Sequence, residues 1–398
     1  MFEEWRLKKG VPAYLQLKDY LKELILEGVL APGVKLPSTR EVSRLAGVSR
    51  NTVILAYQYL EDDGLLQTVR GRGTFVTGIT TGRGAGVTLD WTELLTDYAV
   101  IATELDIEKK EARWQKGMIS FKSIAPDPEL FEAEEFKKAF LRRFALEGQK
   151  LLNYGYAQGY RDLLNYLRNY LKGKGVPMAG KDLLITNGFT EAFDITLTAL
   201  TKPGAQIICE NPTHNTAIKI MRLHGLEVTG VPMEEDGLNL EELEKALAGG
   251  DAAAVFLIPS YHNPTGVVMS PEKRVAVLKL LAGYRVPVIE DGFNEELRYS
   301  GSHVAPLAAL AGQGNNLIYT GSFSKILFPG LRIGWILADR ELISCLESIK
   351  RSRNIHTSFL DQAILYEYLQ SGRFERYLKN ARRVYRERHE KAVELAEK

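Results

Sequence analysis

Short apolar runs alternate with amphipathic stretches from about residue 115 onward. The runs are rich in Val, Ile and Leu, as in strands buried on both faces. The stretches between them, such as Thr190 to Leu200, have the apolar spacing of helices with one buried side. This alternation predicts an α/β fold whose mixed, mostly parallel sheet carries helices on both faces. The predicted strands are DLLIT (182–186), AQIICE (205–210), LEVTGVP (226–232), AAAVFLIP (252–259), VPVIED (286–291), NLIYTGS (316–322) and RIGWILA (332–338).

The first part of the chain has a different pattern, which predicts three short helices followed by a hairpin. Ser38, with Glu41 three residues later, has the signature of a capping box, and Ser49 is placed to cap the next helix. Gly47 lies between these two helices at the turn, and Gly64 ends the second. The inward-facing positions are Leu17, Leu21, Leu24 and Ile25 on the first helix, and Val53, Ala56, Tyr57 and Leu60 on the third.

The glycine-rich stretch GITTGRGAGVTLD (78–90) separates the two patterns and is typical of a flexible linker. We therefore expect a multidomain chain. Its predicted parts are an N-terminal α+β domain over residues 1–78, a linker with a lead-in helix over 79–114, and the α/β domain over 115–398.

Composition narrows the class of protein. Apolar residues make up 45% of the 398 positions and charged residues 25%, as in ordinary globular proteins. The net charge of +1 means that any contact with nucleic acid must come from a local basic patch. Two distant cysteines and the lack of a long apolar run favour a cytoplasmic protein with no membrane partner.

The N-terminal block has such a patch and the layout of a winged helix-turn-helix. Between Lys35 and Leu60 there are four cations and one acid. Arg50 lies at the exposed start of the third helix, which is the end that enters the major groove in this motif. Arg70 and Arg72 flank Gly71 at the hairpin tip, where a wing contacts the DNA backbone or minor groove.

The pattern LPSTREVSRLAGVSRNTV…LEDDGLL…RGRGTFV resembles the GntR-type winged helix-turn-helix domain over about 65 residues. The resemblance implies that double-stranded DNA is a partner. The residues it assigns to DNA contact are Arg40, Ser49, Arg50 and Thr52, with Arg70, Gly71 and Arg72 of the wing.

A second constellation surrounds Lys325 in GSFSKILFPGLRIGW (321–335). A lysine that forms a Schiff base must lose its proton near neutral pH, which desolvation or a nearby cation such as Arg332 promotes. A phosphate requires hydroxyls, helix-start N–H groups and an arginine. The candidates for the phosphate are Ser322, Ser324 and Arg332, with Gly188, Phe189 and Thr190 at a helix start.

Three further residues follow predicted strands and suit a pyridine ring. Asp291 offers a carboxylate for a ring nitrogen, Asn263 an amide for a ring hydroxyl, and His214 a flat side chain for the ring face. Taken alone, Asn263 is more often a turn residue, Asp291 a cap, and His214 a surface histidine or one whose hydrogen bonds are satisfied within the protein. Their order along the chain, each after a predicted strand, favours a binding site.

This ordered set, and the pattern SFSKxLxPGLRxGW above all, resembles the fold-type I aminotransferases that use pyridoxal 5′-phosphate. The resemblance implies that Lys325 carries the cofactor as a Schiff base and that Asp291 pairs with its pyridine nitrogen. It implies that Asn263 contacts the ring oxygen and that the phosphate candidates hold the phosphate. Tyr154 in NYGYAQGY matches a tyrosine that such enzymes send across a dimer interface, so we expect a homodimer.

The chain departs from that family at three places. Phe293 stands where relatives often have tyrosine, and His214 where they commonly stack a tyrosine on the ring. The chain also stops at RHEKAVELAEK, inside a charged helical pattern, and we expect an incomplete C-terminal small domain without the arginine for a substrate carboxylate.

The order of the two domains resembles the MocR-type transcription regulators. This resemblance implies a regulator that senses pyridoxal phosphate, an amino acid or another amino compound. Two alternatives stay open from the residues. One is a working transaminase that also carries a DNA-binding domain, and the other is a regulator whose large domain holds no cofactor.

Overall fold

The computed structural model describes residues 2, 5–8, 10–78, 89–106, 125–250, 252–292, 295–301 and 303–397. They form two compact units, Met1–Leu95 and Thr96–Lys398. Much of the predicted linker, 79–88 and 107–114, lies outside the described residues, as does Phe293. None of the helices in the described part of the chain has the length and apolar character that a bilayer crossing requires.

The first unit contains the predicted helices and hairpin. Ser38 Oγ accepts the N–H of Glu41 at 3.3 Å, and Ser49 Oγ accepts that of Thr52 at 3.1 Å, so both predicted caps form. Gly47 ends a helix in the left-handed conformation. The elements are α1 (Ala13–Leu26), α2 (Thr39–Ala46), α3 (Arg50–Asp62), β1 (Leu66–Val69), β2 (Gly73–Val76) and α4 (Trp91–Leu94).

The core of this unit is formed by the apolar faces predicted from the sequence. Leu17 and Leu21 of α1 are fully buried against Val53, Ala56 and Leu60 of α3. The strands β1 and β2 pair antiparallel, and residue 35 adds an isolated bridge to β2. That bridge was not predicted, because one residue of pairing leaves no periodic signal.

The second unit alternates strands and helices. Its strands are β3 (Lys181–Thr186), β4 (Gln206–Asn211), β5 (Glu227–Glu234), β6 (Gly237–Leu238), β7 (Ala252–Leu257), β8 (Val288–Asp291), β9 (Leu317–Ser322) and β10 (Gly334–Asp339). Its helices are α5 (Asp97–Glu104), α6 (Ala133–Glu147), α7 (Arg161–Gly173), α8 (Phe189–Leu200), α9 (Asn215–Leu223), α10 (Leu240–Ala248), α11 (Pro271–Tyr284), α12 (Leu307–Leu310), α13 (Arg340–Asn354), α14 (Phe359–Gln370) and α15 (Arg373–Ala396). Short 3₁₀ helices lie at Pro128–Leu130, Gly148–Leu152, Glu295–Leu297 and Pro329–Leu331.

These eight strands form one sheet in the order β3-β10-β9-β8-β7-β4-β5-β6. Strands β9, β8, β7, β4 and β5 run parallel, whereas β10 is antiparallel to both of its neighbours. The predicted mixed, mostly parallel sheet is therefore confirmed.

Helices cover both faces of this sheet, as the continuous apolar strands require. Alternate strand residues point into two separate cores. Ile185 and Val255 face one core, whereas Leu184 and Ala254 face the other.

The topology brings the carboxyl ends of β3, β4, β7, β8 and β9 to one edge of the sheet, together with the start of β10. Ligands of open α/β sheets bind outside the carboxyl ends of the strands. The close approach of backbones at this edge requires glycine at Gly334, where a Cβ would lie 2.8 Å from the Gly321 carbonyl oxygen and 2.9 Å from Gly188 Cα.

Candidate functional site

A cavity of about 220 Å³ opens at this edge of the sheet. It brings together side chains that are up to 143 positions apart, from Phe189 to Arg332. Nine of the eleven residues predicted for the cofactor lie in its wall, and Thr216 and Gly292 join them. The lining residues are Phe189, Thr190, His214, Thr216, Asn263, Asp291, Gly292, Ser322, Ser324, Lys325 and Arg332.

The N-terminus of α8 forms one end of the cavity. Gly188 precedes the helix with φ of 80° and has no side chain to cap it. The first N–H groups of a helix have no intrahelical partner and carry the positive end of its dipole. Phe189 and Thr190, the first two helical residues, therefore present donors that suit an anion.

Hydroxyls and a guanidinium complete this end of the cavity. Ser322 Oγ accepts the N–H of Ser324 at 3.2 Å, whereas the buried Oγ of Ser324 has no hydrogen-bond partner among the described residues. Arg332 donates from Nη2 to the carbonyl oxygen of Asn187 at 2.8 Å, which fixes its guanidinium beside Gly188. A Cβ at Gly188 would lie only 3.1 Å from that Nη2 atom, so glycine keeps this end open.

Asp291 lies in the cavity wall where β8 ends. Burial raises the pKa of its carboxyl to about 8, and the nearby carboxylates Glu295 and Glu210 contribute in the same direction. A buried carboxyl of this kind is stabilised by a cationic partner. The following residue is Gly292, and a Cβ there would come within 2.6 Å of the Tyr319 ring.

Lys325, His214 and Asn263 also line the cavity. The pKa of His214 is lowered by burial and then by the positive charge of Lys325, so its ring is neutral near pH 7. The ring of Phe189 lies 5.6 Å from that of His214, and Thr216 follows two residues later on α9.

Tyr154 is the one predicted cofactor residue that lies away from the cavity within this chain, apart from Gly188 at its margin. Its side chain is 79% exposed, and its ring meets that of His356 edge to face. A role toward the cofactor of a second chain stays a prediction.

The groups that line the cavity suit pyridoxal 5′-phosphate. An unpartnered buried hydroxyl, a fixed guanidinium and an open helix N-terminus form a cradle for a phosphate. A buried carboxylate in the same cavity suits a protonated ring nitrogen, and the cavity wall also carries a lysine.

The first unit exposes the residues predicted for DNA. Arg40, Ser49 and Arg50 are exposed around the start of α3, Thr52 is half-buried, and Arg50 Nε donates to Thr39 Oγ1 at 3.4 Å. The hairpin tip exposes Arg70, Gly71 and Arg72, and Gly71 takes φ of 79° in the turn. These positions share the surface around one helix start and one wing, as in winged helix-turn-helix domains.

Comparison with known proteins identifies both units. Residues 13–76 match the family "Bacterial regulatory proteins, gntR family", and residues 123–398 match "Aminotransferase class I and II". The crystal structure of LysN, an α-aminoadipate aminotransferase from Thermus thermophilus complexed with N-(5′-phosphopyridoxyl)-L-leucine, is 31% identical with a TM-score of 0.66 and covers 75% of each chain. The aminotransferase-like unit therefore belongs to a fold whose members bind pyridoxal phosphate.

Two relatives match over nearly the whole chain. The uncharacterized HTH-type transcriptional regulator YisV of Bacillus subtilis (strain 168) is 31% identical over 98% of this chain and 81% of its own length. The probable rhizopine catabolism regulatory protein MocR of Rhizobium meliloti is 28% identical over 97% of this chain and 77% of its own. With a GntR-type domain followed by an aminotransferase-like domain, this chain belongs to the MocR-type family of transcription regulators.

Proposed function

We propose that this chain binds an operator in double-stranded DNA with its first unit and responds to an amino compound at a pyridoxal phosphate site in its second. The observation that carries the proposal is the cavity that joins Lys325, the buried Asp291 and a phosphate cradle in a chain that begins with a winged helix-turn-helix. Bound pyridoxal phosphate supplies an electron-withdrawing ring to an amino group attached to it.

The phosphate end of the proposed site uses neutral and cationic donors. Ser324 Oγ, which has no partner among the described residues, donates to a phosphate oxygen, and Ser322 adds a second hydroxyl. The Arg332 guanidinium balances the negative charge from beside Gly188. The N–H groups of Phe189 and Thr190 at the start of α8 contribute the helix dipole.

The ring end orients the cofactor. Asp291 holds a proton on the ring nitrogen, because a buried carboxylate stabilises a cation next to it. The Asn263 amide would donate to the ring oxygen, and the neutral His214 ring would pack against the cofactor ring. Lys325 Nζ would hold the cofactor by a reversible covalent bond for which an amino compound could compete.

The first unit reads DNA with two kinds of contact. Arg50, Ser49 and Thr52 at the start of α3 face the bases of the major groove, and Arg40 contacts a phosphate. Arg70, Gly71 and Arg72 at the wing tip contact the backbone or the minor groove.

The regulatory step is a shift between two states of a homodimer. An amino compound at the cofactor changes the equilibrium only by its differential affinity for the two states. Two copies of the first unit read paired half-sites of the operator, as two-fold symmetry requires. Tyr154, exposed in the single chain, reaches the cofactor phosphate of the partner. The two cysteines, Cys209 and Cys345, are both free, as in proteins of a reducing compartment, and we propose that the protein acts in the cytoplasm.

An absorbance titration of the cofactor-loaded protein with a panel of amino acids tests the proposal. A spectral change that saturates with one compound and alters operator affinity is the expected result. Turnover of that compound with a 2-oxo acid, without an effect on DNA binding, would instead identify a transaminase. Protein that takes up no cofactor from an excess contradicts the proposal.

Arg50→Ala is expected to weaken specific DNA binding by about 1–3 kcal/mol, because a side chain that reads a base edge contributes about that much discrimination. The measurement compares dissociation constants for a site selected from random DNA by the wild-type protein with those for unrelated DNA. Gln58→Ala, exposed farther along the same helix, is the control. Equal losses on both DNAs would assign Arg50 to the phosphate backbone.

Arg70→Ala and Arg72→Ala are each expected to reduce the slope of log K against log salt by about one, because each wing arginine neutralises one phosphate. The slopes are measured on the same selected site at several salt concentrations. Lys202→Ala, a lysine of the second unit far along the chain, should leave the slope unchanged. A wild-type slope in both wing variants would remove the wing from the DNA interface.

A further inference from the structure

Glu210 and His262 are buried polar side chains close to the cavity residues Asp291 and Asn263. Neither of them lines the cavity itself. Glu210, the penultimate residue of β4, is 1% exposed. Its Oε2 accepts the N–H of Ile258 at 2.8 Å and lies 3.3 Å from Nε2 of His262, which is within ion-pair distance, although the geometry there is not that of a hydrogen bond. Its Oε1 has no hydrogen-bond partner among the described residues. Burying a carboxylate with so few partners lowers the stability of the fold, so its presence calls for a functional explanation.

His262 joins this carboxylate to the loop that carries Asn263. The backbone N–H of His262 donates to the Val267 carbonyl at 2.9 Å, and its own carbonyl accepts the N–H of Gly266 at 2.6 Å. Its Nδ1 lies 2.9 Å from Thr265 Oγ1, which in turn accepts the N–H of Val267 at 3.3 Å. The backbone and the ring of His262 therefore hold the loop 262–267 together. Asn263 is the residue that follows His262 in this loop.

Glu210 and Asp291 lie at the carboxyl ends of β4 and β8, and only β7 separates these two strands in the sheet. Burial is the main reason that the pKa of Asp291 is raised to about 8, and the charges of Glu295 and Glu210 add to it. The other charged or titratable side chains that line the same cavity, among the described residues, are Lys325, Arg332 and His214. A negative charge behind a buried carboxylate strengthens its preference for a cation in front of it.

We propose that Glu210 and His262 are a positioning pair for the ring end of the cofactor site. His262 holds the loop 262–267 so that Asn263 faces the cavity. Glu210 lies within ion-pair distance of the His262 ring and one strand away from Asp291, where its carboxylate favours a protonated ring nitrogen in the cavity. The inference rests on the proposed function, because it assumes that the cavity takes pyridoxal phosphate.

The test uses pyridoxamine 5′-phosphate, which has no aldehyde and therefore binds without forming a bond to Lys325. Its dissociation constant is measured by calorimetry across pH for the full chain, for Glu210→Gln and for Glu227→Gln. Glu227 is exposed at the opposite end of the neighbouring strand β5 and serves as the matched control. The ligand's phosphate ionises in the same way in all three experiments. Only differences between the pH profiles of the three proteins are therefore attributed to the protein.

Affinity in the wild-type protein should rise with pH as Asp291 ionises. In Glu210→Gln this rise is expected at a lower pH than in the wild-type protein, because one nearby like charge is removed. A rise at the wild-type pH in Glu210→Gln overturns the inference, even if affinity is weaker overall, because loss of packing alone does not move a pH profile. Wild-type protein that binds no pyridoxamine phosphate at any pH overturns the proposed function as well.

Thr265→Val keeps the inference testable if Glu210→Gln does not fold. Thr265 is exposed, and valine removes the hydroxyl that meets His262 Nδ1 and also accepts the N–H of Val267. The expected result is at least about fivefold weaker binding of pyridoxamine phosphate, since at least one ordinary hydrogen bond of the loop is lost, with an unchanged pH profile. Wild-type affinity in Thr265→Val would show that His262 does not hold the loop for the ligand.

Discussion

Replacing Lys325 with alanine is expected to abolish covalent attachment of pyridoxal phosphate to the chain. Among the described residues of the cavity wall, its ε-amine is the one amine that can form a reversible bond to the aldehyde, because the other cation, Arg332, is a guanidinium that is hydrogen-bonded to Asn187. The measurement is borohydride reduction of the cofactor-loaded protein followed by peptide mass mapping. Wild-type protein should carry the modification at position 325 and Lys325→Ala at none.

Two controls separate loss of the bond from loss of the pocket. Lys202→Ala removes a lysine of the same unit that lies outside the cavity wall and should leave the modification in place. Lys325→Ala should still bind pyridoxamine phosphate, because the phosphate cradle of Ser322, Ser324 and Arg332 is unchanged. Modification of wild-type protein at another lysine, with position 325 untouched, would contradict the assignment.

The strands of the second unit could be predicted closely because each is a continuous apolar run bounded by turn residues. VPVIED (286–291) ends at Asp291, where β8 ends, and NLIYTGS (316–322) ends at Ser322, where β9 ends. The run from 332 starts two residues early, because Arg332 closes a 3₁₀ helix in the left-handed conformation and β10 begins at Gly334.

The order and direction of the strands could not be read in the same way. An apolar run fits a parallel or an antiparallel neighbour equally well, and nothing in RIGWILA indicates that β10 is antiparallel to both neighbours. The exposed residues of β5 and the two-residue β6 reflect their place at the sheet edge, which follows from tertiary packing.

The cavity could be anticipated because the carboxyl ends of parallel strands meet at one edge, so polar residues after strands converge. Lys325, Asp291, Asn263 and His214 all met that criterion. Thr216 was missed because it lies on the first turn of α9, where threonine is ordinary.

Glu210 and His262 were missed for a different reason. Both belong to a layer behind the cavity, and sequence spacing does not distinguish a buried polar residue from an exposed one at a strand end. The only signal was a glutamate that closes the apolar strand AQIICE, and its significance depends on the contact with a loop about fifty residues away.

Asp291→Asn is expected to change two properties in opposite directions. With ligand present, the variant loses the carboxylate that pairs with the ring nitrogen. Removing one partner of a buried charge pair costs about 2–5 kcal/mol of binding free energy. Calorimetry with pyridoxamine phosphate measures this loss, and Glu227→Gln serves as the control with wild-type affinity. Wild-type affinity in Asp291→Asn would remove the ring nitrogen from this end of the cavity.

Without ligand, the same substitution should stabilise the protein at alkaline pH. The pKa of Asp291 is raised to about 8 in the folded protein from an ordinary value of 3.8, mainly by burial. An acid with a raised folded pKa binds protons on folding, so its contribution to stability falls as pH rises from about 4 toward 8. Asparagine has no such penalty. Thermal unfolding of the ligand-free proteins should therefore show equal stability near pH 4 and a more stable variant near pH 8.

The opposite signs follow from one property of the site. A carboxylate buried among Glu295 and Glu210 is unfavourable until a cation arrives, and the relief of that penalty adds to the affinity for the cation. A ligand-free Asp291→Asn protein that is less stable than wild type at pH 8 would show that Asp291 already has a stabilising partner in the folded chain. The Glu210 carboxylate would then have a structural role, and it would not explain selectivity for a protonated ring nitrogen.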